Sequence, residues 1–187
     1  MKPTNRSYYD NHAAHQMLRG HGVEPISIRK PGVVIRDAEM GDFQRVKRYL
    51  EEFSALHIAK EPKLLNPKKN TYRENRDYYA SALRNEDSRF LVAEVDGKVA
   101  GYIKLDFEVI PGTFRDNEIL YVDSIYVGRE FRRNGVAKSL LSSAEDIARG
   151  RGIKRVQMCV YAFNSGMQSL LRDMGYDSPY ATWNKRV

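Results

Sequence analysis

The stretch Ile125-Tyr126-Val127-Gly128-Arg129-Glu130-Phe131-Arg132-Arg133-Asn134-Gly135-Val136-Ala137 reads as an apolar strand ending at Val127, a polar turn, and a helix opening at the small residues Gly135 and Ala137. Such a turn leaves several backbone N–H groups without partners at a helix N-terminus, where the helix dipole adds positive potential. That combination suits a phosphate-bearing ligand. Gly135 offers no side chain to block close approach, Ala137 is nearly as permissive, and Arg132, Arg133 and Lys138 supply charge for phosphate oxygens. The same residues also read as a routine strand-to-helix connection with solvated arginines, and alone they divide evenly between the two. The spacing is neither Gly-x-x-x-x-Gly-Lys-Ser/Thr nor Gly-x-Gly-x-x-Gly after a first strand.

Outward from this stretch, the chain punctuates itself into strands and helices. Val33-Val34-Ile35 is a β-branched strand. Asp42 resembles an N-cap for a helix with Phe43, Val46, Leu50 and Phe53 on its apolar face, and a proline-broken segment follows from His57 through Pro62 and Pro67. A second helix is expected over Tyr72 to Leu83. Arg89 to Val95 and Lys98 to Phe107 form a hairpin about Asp96-Gly97, with Gly101 marking a bulge or a close backbone approach. After a loop from Glu108 to Asn117, Ile119 to Val127 is the next strand. The helix from Gly135 to Arg151 carries Val136, Leu140, Leu141, Ala144, Ile147 and Ala148 on one face and is stopped by Gly152. Val156 to Val160 is a strand, Asn164 to Met174 a short helix ended by Gly175, and Tyr180 to Val187 a final strand. The order β-α-α-β-β-β-α-β-α-β predicts an α/β (α+β) fold with helices packed on a largely antiparallel sheet. There is no internal repeat. Residues 1–31 read as a flexible extension with a helical piece at Tyr8 to Leu18, ahead of one domain over residues 32–187.

Composition narrows the classes. With 187 residues, 42% hydrophobic and 29% charged, the chain has the make-up of a single globular domain. No apolar run approaches bilayer length and the N-terminus leads into no signal-peptide core, so a cytoplasmic protein without a membrane partner is expected. The single cysteine, Cys159, excludes an intrachain disulfide and reads as a buried strand thiol; no metal is expected. A net charge of +7 favours anionic partners, but no nucleic-acid recognition signature accompanies it and the basic residues are scattered. Nucleic acid is therefore not the expected partner.

Arg132-Arg133-Asn134-Gly135-Val136-Ala137 resembles the Arg/Gln-x-x-Gly-x-Gly/Ala signature of the GNAT acetyltransferase family, with Ser124-Ile125-Tyr126-Val127 ahead of it and an amphipathic helix behind. Phe90 to Glu94 with Val99-Ala100-Gly101-Tyr102 is similar to that family's central hairpin. Met158 to Tyr161, Asn164 and Gly175-Tyr176 are similar to its closing strand, Asn-led helix and Gly-aromatic pair. The resemblance covers roughly residues 33 to 176 and implies the GNAT fold, with helices on both faces of the sheet. It implies acetyl-CoA as co-substrate, held by Ile125, Tyr126, Val127, Arg132, Arg133, Asn134, Gly135, Val136, Ala137, Lys138 and Asn164. The reaction implied is direct attack by a primary amine of a small molecule or protein on the thioester, with a homodimer left open. Leu56-His57 with Pro62 resembles a subgroup with a His and a Pro in the loop before the second helix, which makes His57 the substrate-pocket candidate.

The chemistry needs a neutral amine, a stabilised oxyanion and a proton for the thiolate. By a period of two, Tyr121, Asp123, Ile125 and Val127 share one face of their strand. Asp is disfavoured in mid-strand, so Asp123 stands as base, amine anchor or satisfied structural carboxylate, and with Tyr121 it is the catalytic candidate. The resemblance implies the Val127 N–H as oxyanion donor. The family's frequent proton donor, a tyrosine seven residues after the Asn, is Leu171 here. That departure leaves Tyr126, Tyr161, Tyr176 or water as donor, and keeps a non-catalytic acyl-CoA-binding module as the alternative function.

Overall fold

A computed structural model of the protein describes residues 32–67, 76–110, 112 and 114–185. The helical piece expected at Tyr8 to Leu18 and the first turn of the second helix lie outside the described residues. Five strands form one sheet in the order β1-β2-β3-β4-β5: β1 Val33–Asp37, β2 Ser88–Val95, β3 Lys98–Val109, β4 Glu118–Val127 and β5 Val156–Met158. The first four pair antiparallel. β5 runs parallel to β4, as a strand reached by a helical crossover must. Asp96 and Gly97, both at positive φ, close the β2–β3 hairpin as that dipeptide predicts.

Helices cover both faces. On one, α3 Val136–Gly150 and α4 Ser165–Asp173 press Leu140, Leu141, Ala144, Ile147 and Leu171 onto Leu91, Ile103, Leu105, Leu120 and Val122. On the other, α1 Phe43–Lys60 and α2 Arg76–Arg84 set Val46, Tyr49, Leu50 and Tyr79 against Phe90, Val92, Tyr102 and Tyr126. Each fully buried side chain of this size is worth about 1.5–3 kcal/mol of transfer free energy.

Arg36 ties the β1 edge to the entry of α1. It grips both oxygens of Asp42 at 2.7 and 2.8 Å and Glu94 at 2.6 Å. Asp42 stands at the N-cap position of α1, but its carboxylate makes no cap to that helix. It accepts instead from Arg36 and from the Glu39 N–H at 2.8 Å, closing the short 3-10 turn Met40–Asp42.

Three further expectations are corrected. α1 runs on to Lys60, because Pro62 stands beyond the helix end and removes no bond from it, so His57 lies within a helix rather than in a loop. No strand forms over Tyr180 to Lys185, and this segment is exposed; 186–187 lie outside the described residues. With no strand described beyond it, β5 is an edge, and Cys159 just after it is exposed rather than buried.

Candidate functional site

β4 and β5 are in register only over Leu120–Val156, Tyr121–Gln157 and Val122–Met158. At that point β4 also slips against β3: Lys104 pairs with Ser124 but Leu105 with Val122, which leaves Asp123 as a bulge residue. A bulge bends its strand and increases the local twist, so β4 turns away from β5 where pairing stops. It also overturns the period of two. Leu120 and Val122 lie on the α3 side, and after the bulge Ile125 and Val127 pack on that side too, while Tyr126 packs toward α1. Tyr121 and Asp123 therefore do not share the face of Ile125 and Val127.

Beyond the split, the backbone direction of β4 follows from its ladder. Gly128 N–H donates to the Ala100 carbonyl at 2.9 Å across the Gly101–Val127 pair. In an antiparallel ladder alternate residues face the same neighbour. Tyr126 thus faces β3, and the N–H and C=O groups of Ile125 and Val127 face the gap where β5 has departed. The Val127 carbonyl receives the Arg132 Nε–H at 3.0 Å, and the Arg132 guanidinium lies over the Tyr126 ring with a 5.3 Å centroid distance. Arg132 is thus folded back as a brace for the loop.

The turn itself is built to start a helix abruptly. Gly128 leads into the 3-10 turn Arg129–Phe131, Arg133 sits at φ 67°, and Gly135 at φ 77° is the N-cap of α3. The first bond of α3 is Ser139 N–H to the Gly135 carbonyl at 2.9 Å. The N–H groups of Val136, Ala137 and Lys138 precede it and have no intrahelical acceptor. No cap side chain covers them. Arg133, Asn134 and Lys138 are exposed around this helix end.

On the α1 side a second group of polar residues lies against the bulge. Lys104, buried in the central strand, places Nζ at 2.6 Å from each oxygen of Asp106 and 3.9 Å from Asp123 Oδ2. Ser124 Oγ donates to Asp123 Oδ2 at 3.3 Å. Burial alone would lower the Lys104 pKa, but Asp123 and Asp106 outweigh it and raise it above the ordinary lysine value. Tyr126 donates its hydroxyl proton to Glu52 Oε2 at 2.8 Å; burial and then that carboxylate raise its pKa, so it remains a neutral phenol. One turn further along α1, His57 is buried, with Nδ1–H donating to the Phe53 carbonyl at 2.8 Å. Its ring packs on Phe53 and, edge to face, on Tyr161 and Phe163 of the β5–α4 connection.

Comparison with known proteins decides what this frame belongs to. The model of the acetyltransferase (GNAT) family matches residues 50–176. The chain is a member of the GNAT family. Acetyl transfer is the general chemistry this membership supports. An uncharacterized N-acetyltransferase of Methanocaldococcus jannaschii, MJ1207, is 26% identical over 100 residues, which are 54% of this chain and 44% of that protein. The match thus spans less than half of that relative's length. A mutant form of the BH1408 protein from Bacillus halodurans has a similar fold, with a TM-score of 0.74 at 19% identity over 82% of this chain and 98% of that one. The aminoglycoside N-acetyltransferase AAC(6')-Iy, in complex with CoA, gives a TM-score of 0.65 at 14% identity over 87% and 99% of the two chains.

Within this GNAT domain the structure brings Ile125, Val127, Arg132, Arg133, Asn134, Gly135, Val136, Ala137 and Lys138 to one continuous strand end and helix start. Tyr126, from the same strand, turns its ring the other way. Asn164 is the N-cap of α4, its Oδ1 accepting from Met167 N–H at 3.2 Å. Leu171 is buried in the core, and Tyr176 packs there too, with its hydroxyl buried beside Glu145. Sequence reasoning missed Lys104, Asp106, Glu52 and Phe163, and named Phe53 and Tyr161 without their packing on His57. Lys104 and Asp106 alternate with Ile103, Leu105 and Phe107, the ordinary pattern of a half-solvated strand. The signal that could have found them is a Lys and an Asp facing a mid-strand Asp123 on the neighbouring strand.

Proposed function

We propose that the chain is an acetyl-CoA-dependent N-acetyltransferase that moves an acetyl group to a primary amine of a small molecule or protein, by direct attack in a ternary complex. In this reading the catalytic domain is residues 32–187, with residues 1–31 as an extension. The observation that carries it is the open edge of β4, whose outward amides at Ile125 and Val127 run directly into the uncapped start of α3. An extended amide-bearing arm fits the first as an added strand would, and a pyrophosphate fits the second. In this reading Arg133, Asn134 and Lys138 flank the phosphates, and Asn164, the N-cap of α4, meets the arm from the β5 side. The CoA complex of AAC(6')-Iy supports the choice of ligand.

Acetyl-CoA supplies the thioester. Asp123 takes a proton from the acceptor ammonium, and the nitrogen lone pair then forms the new bond to the acetyl carbonyl carbon as the C–S bond breaks. The Val127 N–H meets the negative charge that develops on the acetyl oxygen. The departing thiolate takes its proton from Tyr161 or solvent, since Tyr126 commits its proton to Glu52 and Tyr176 lies beside Glu145; the acylated nitrogen sheds its second proton, which restores that donor. His57, with Phe53, Tyr161 and Phe163, forms an apolar wall for the acceptor, and Tyr121 lines the approach to Asp123.

The buried Leu171, where the family's frequent tyrosine would stand, favours a second reading, an acyl-CoA-binding module without turnover. Thiol release from acetyl-CoA with a panel of primary amines separates the two. The enzyme reading expects release with at least one amine and a fall of roughly a hundredfold at neutral pH in Asp123→Asn, partly recovered as pH rises. Binding of acetyl-CoA with no release from any amine supports the second reading. A folded Asp123→Asn variant with native turnover at every pH removes Asp123 from the mechanism.

A further inference from the structure

A lysine in the central strand of a sheet, 8% exposed, is costly to keep unless its charge is matched and used. Lys104 is matched twice. Asp106, two residues along β3 on the same face, holds its ammonium at 2.6 Å, and that would satisfy a purely structural lysine. The bulge brings a second carboxylate, Asp123, to 3.9 Å from the same nitrogen. The β4 slip occurs opposite Lys104, whose cross-strand partner Ser124 also donates to Asp123. Two partly covered carboxylates, with side chains 24% and 10% exposed, thus share one cation at the point where β4 leaves β5.

We infer that Lys104 is a positioning residue: its ammonium, shared with Asp106, holds the Asp123 carboxylate turned to the place where an acceptor ammonium arrives. The inference rests on the reading of Asp123 as the group that meets the acceptor's proton. Other titratable groups near the pair are Tyr121 across from Asp106, Tyr78 on α2, and Glu52 with Tyr126 where α1 crosses β4. With the ammonium removed, the two partly covered carboxylates lose their shared cation, and their mutual repulsion favours proton binding by one of them. As the pH falls, Asp123 is then protonated sooner and stops accepting the amine's proton.

The test follows the Asp123 carboxyl carbon by NMR in aspartate-labelled protein, assigned with Asp123→Asn, as pH is varied. In Lys104→Met the Asp123 midpoint should rise by about one unit or more relative to the native chain. The double variant Lys104→Met with Asp106→Asn should return at least half of that rise, because the repelling charge is gone. Lys104→Arg, which keeps the cation, should stay near the native midpoint. With an accepted amine, the acid limb of kcat/KM should move with the same midpoints while the KM for acetyl-CoA holds. A folded Lys104→Met protein with an unmoved midpoint overturns the inference, as does a rise that the double variant leaves undiminished. If Lys104→Met does not fold, Asp106→Asn decides: with Lys104 left to Asp123 alone the midpoint should fall, and an unchanged midpoint refutes the idea. Failure of the base reading is distinguishable, since it appears as native turnover in Asp123→Asn whatever the carbon titration shows.

Discussion

Gly101 is where β3 closely approaches the proposed cofactor edge of β4, and adding one methyl group there tests that proposal. A Cβ at Gly101 would stand 2.6 Å from the Tyr126 carbonyl oxygen and 3.2 Å from Val127 Cα. Carbon–oxygen contacts between strands settle near 3.3–3.6 Å, so the strands must part by roughly 0.7 Å or more. The obstacle is backbone, which cannot rotate aside as a side chain would. Gly101 pairs directly with Val127, so the displacement falls on the residue whose N–H faces the gap. Overpacking of this kind costs about 1–3 kcal/mol, which in a chain of this size lowers Tm by about 2–12 °C. A misplacement approaching 1 Å at a reacting group costs up to about a hundredfold in rate. Gly101→Ala should therefore lower both Tm and turnover, and weaken the rise in Tm that acetyl-CoA produces. Gly166→Ala is the matched control: it adds the same methyl to α4 with nothing within 4 Å of the new carbon. There, helix propensity predicts a gain of up to about 1 kcal/mol. A Gly101→Ala protein that melts with the native chain and gives the native acetyl-CoA shift would refute the close-approach argument.

Gly135→Glu should abolish the acetyl-CoA-dependent rise in Tm by placing a carboxylate over the uncapped α3 amides, read by thermal melting with and without ligand. Tyr161→Phe should slow thiol release, whereas Tyr176→Phe, beside Glu145 in the core, should leave it unchanged. Asp42→Asn should cost about 2 kcal/mol at pH 7, the scale of a charge-assisted hydrogen bond, read by denaturant melts. Burial pushes the Asp42 pKa up, but Arg36 and the Glu39 N–H more than reverse this and hold it below the ordinary value. A depressed folded pKa gives stability that is present above the unfolded value of about 3.9 and lost as pH falls through the folded one. The difference between native and Asp42→Asn proteins should therefore close in strong acid.

Much of the architecture was legible because it is written in local terms. Asp96-Gly97 dictates its own turn, α3 declares its buried face every third or fourth residue, and Gly135 stands between a strand and that helix. The misreadings arose where a distant element decides. Asp123 follows the alternation of its strand on paper, but the slip against Lys104 and Leu105 is a property of two strands together. Lys104 has the pattern of a solvated residue and is buried only because helices cover that side. Pro62 reads as a break near His57, yet a proline removes only its own N–H bond and stands two residues past Lys60, where α1 ends. The final strand failed for the same reason as the buried Cys159: β propensity cannot supply the neighbour that a strand needs.

The parting of β4 from β5 has a consequence for how the site can diversify. What the gap offers a ligand is main chain, and main-chain donors at Ile125 and Val127 persist under almost any substitution that keeps the strand extended. In the proposed reading the side chains of Ile125 and Val127 need not recognise the co-substrate, whereas Asp123 on the same strand is held by its chemistry and Leu120 and Val122 by the core. Tolerance should therefore be uneven along β4: high at Ile125, where a valine or leucine serves the same amide, and low at Gly101 on the neighbouring strand, whose missing methyl sets where that amide sits.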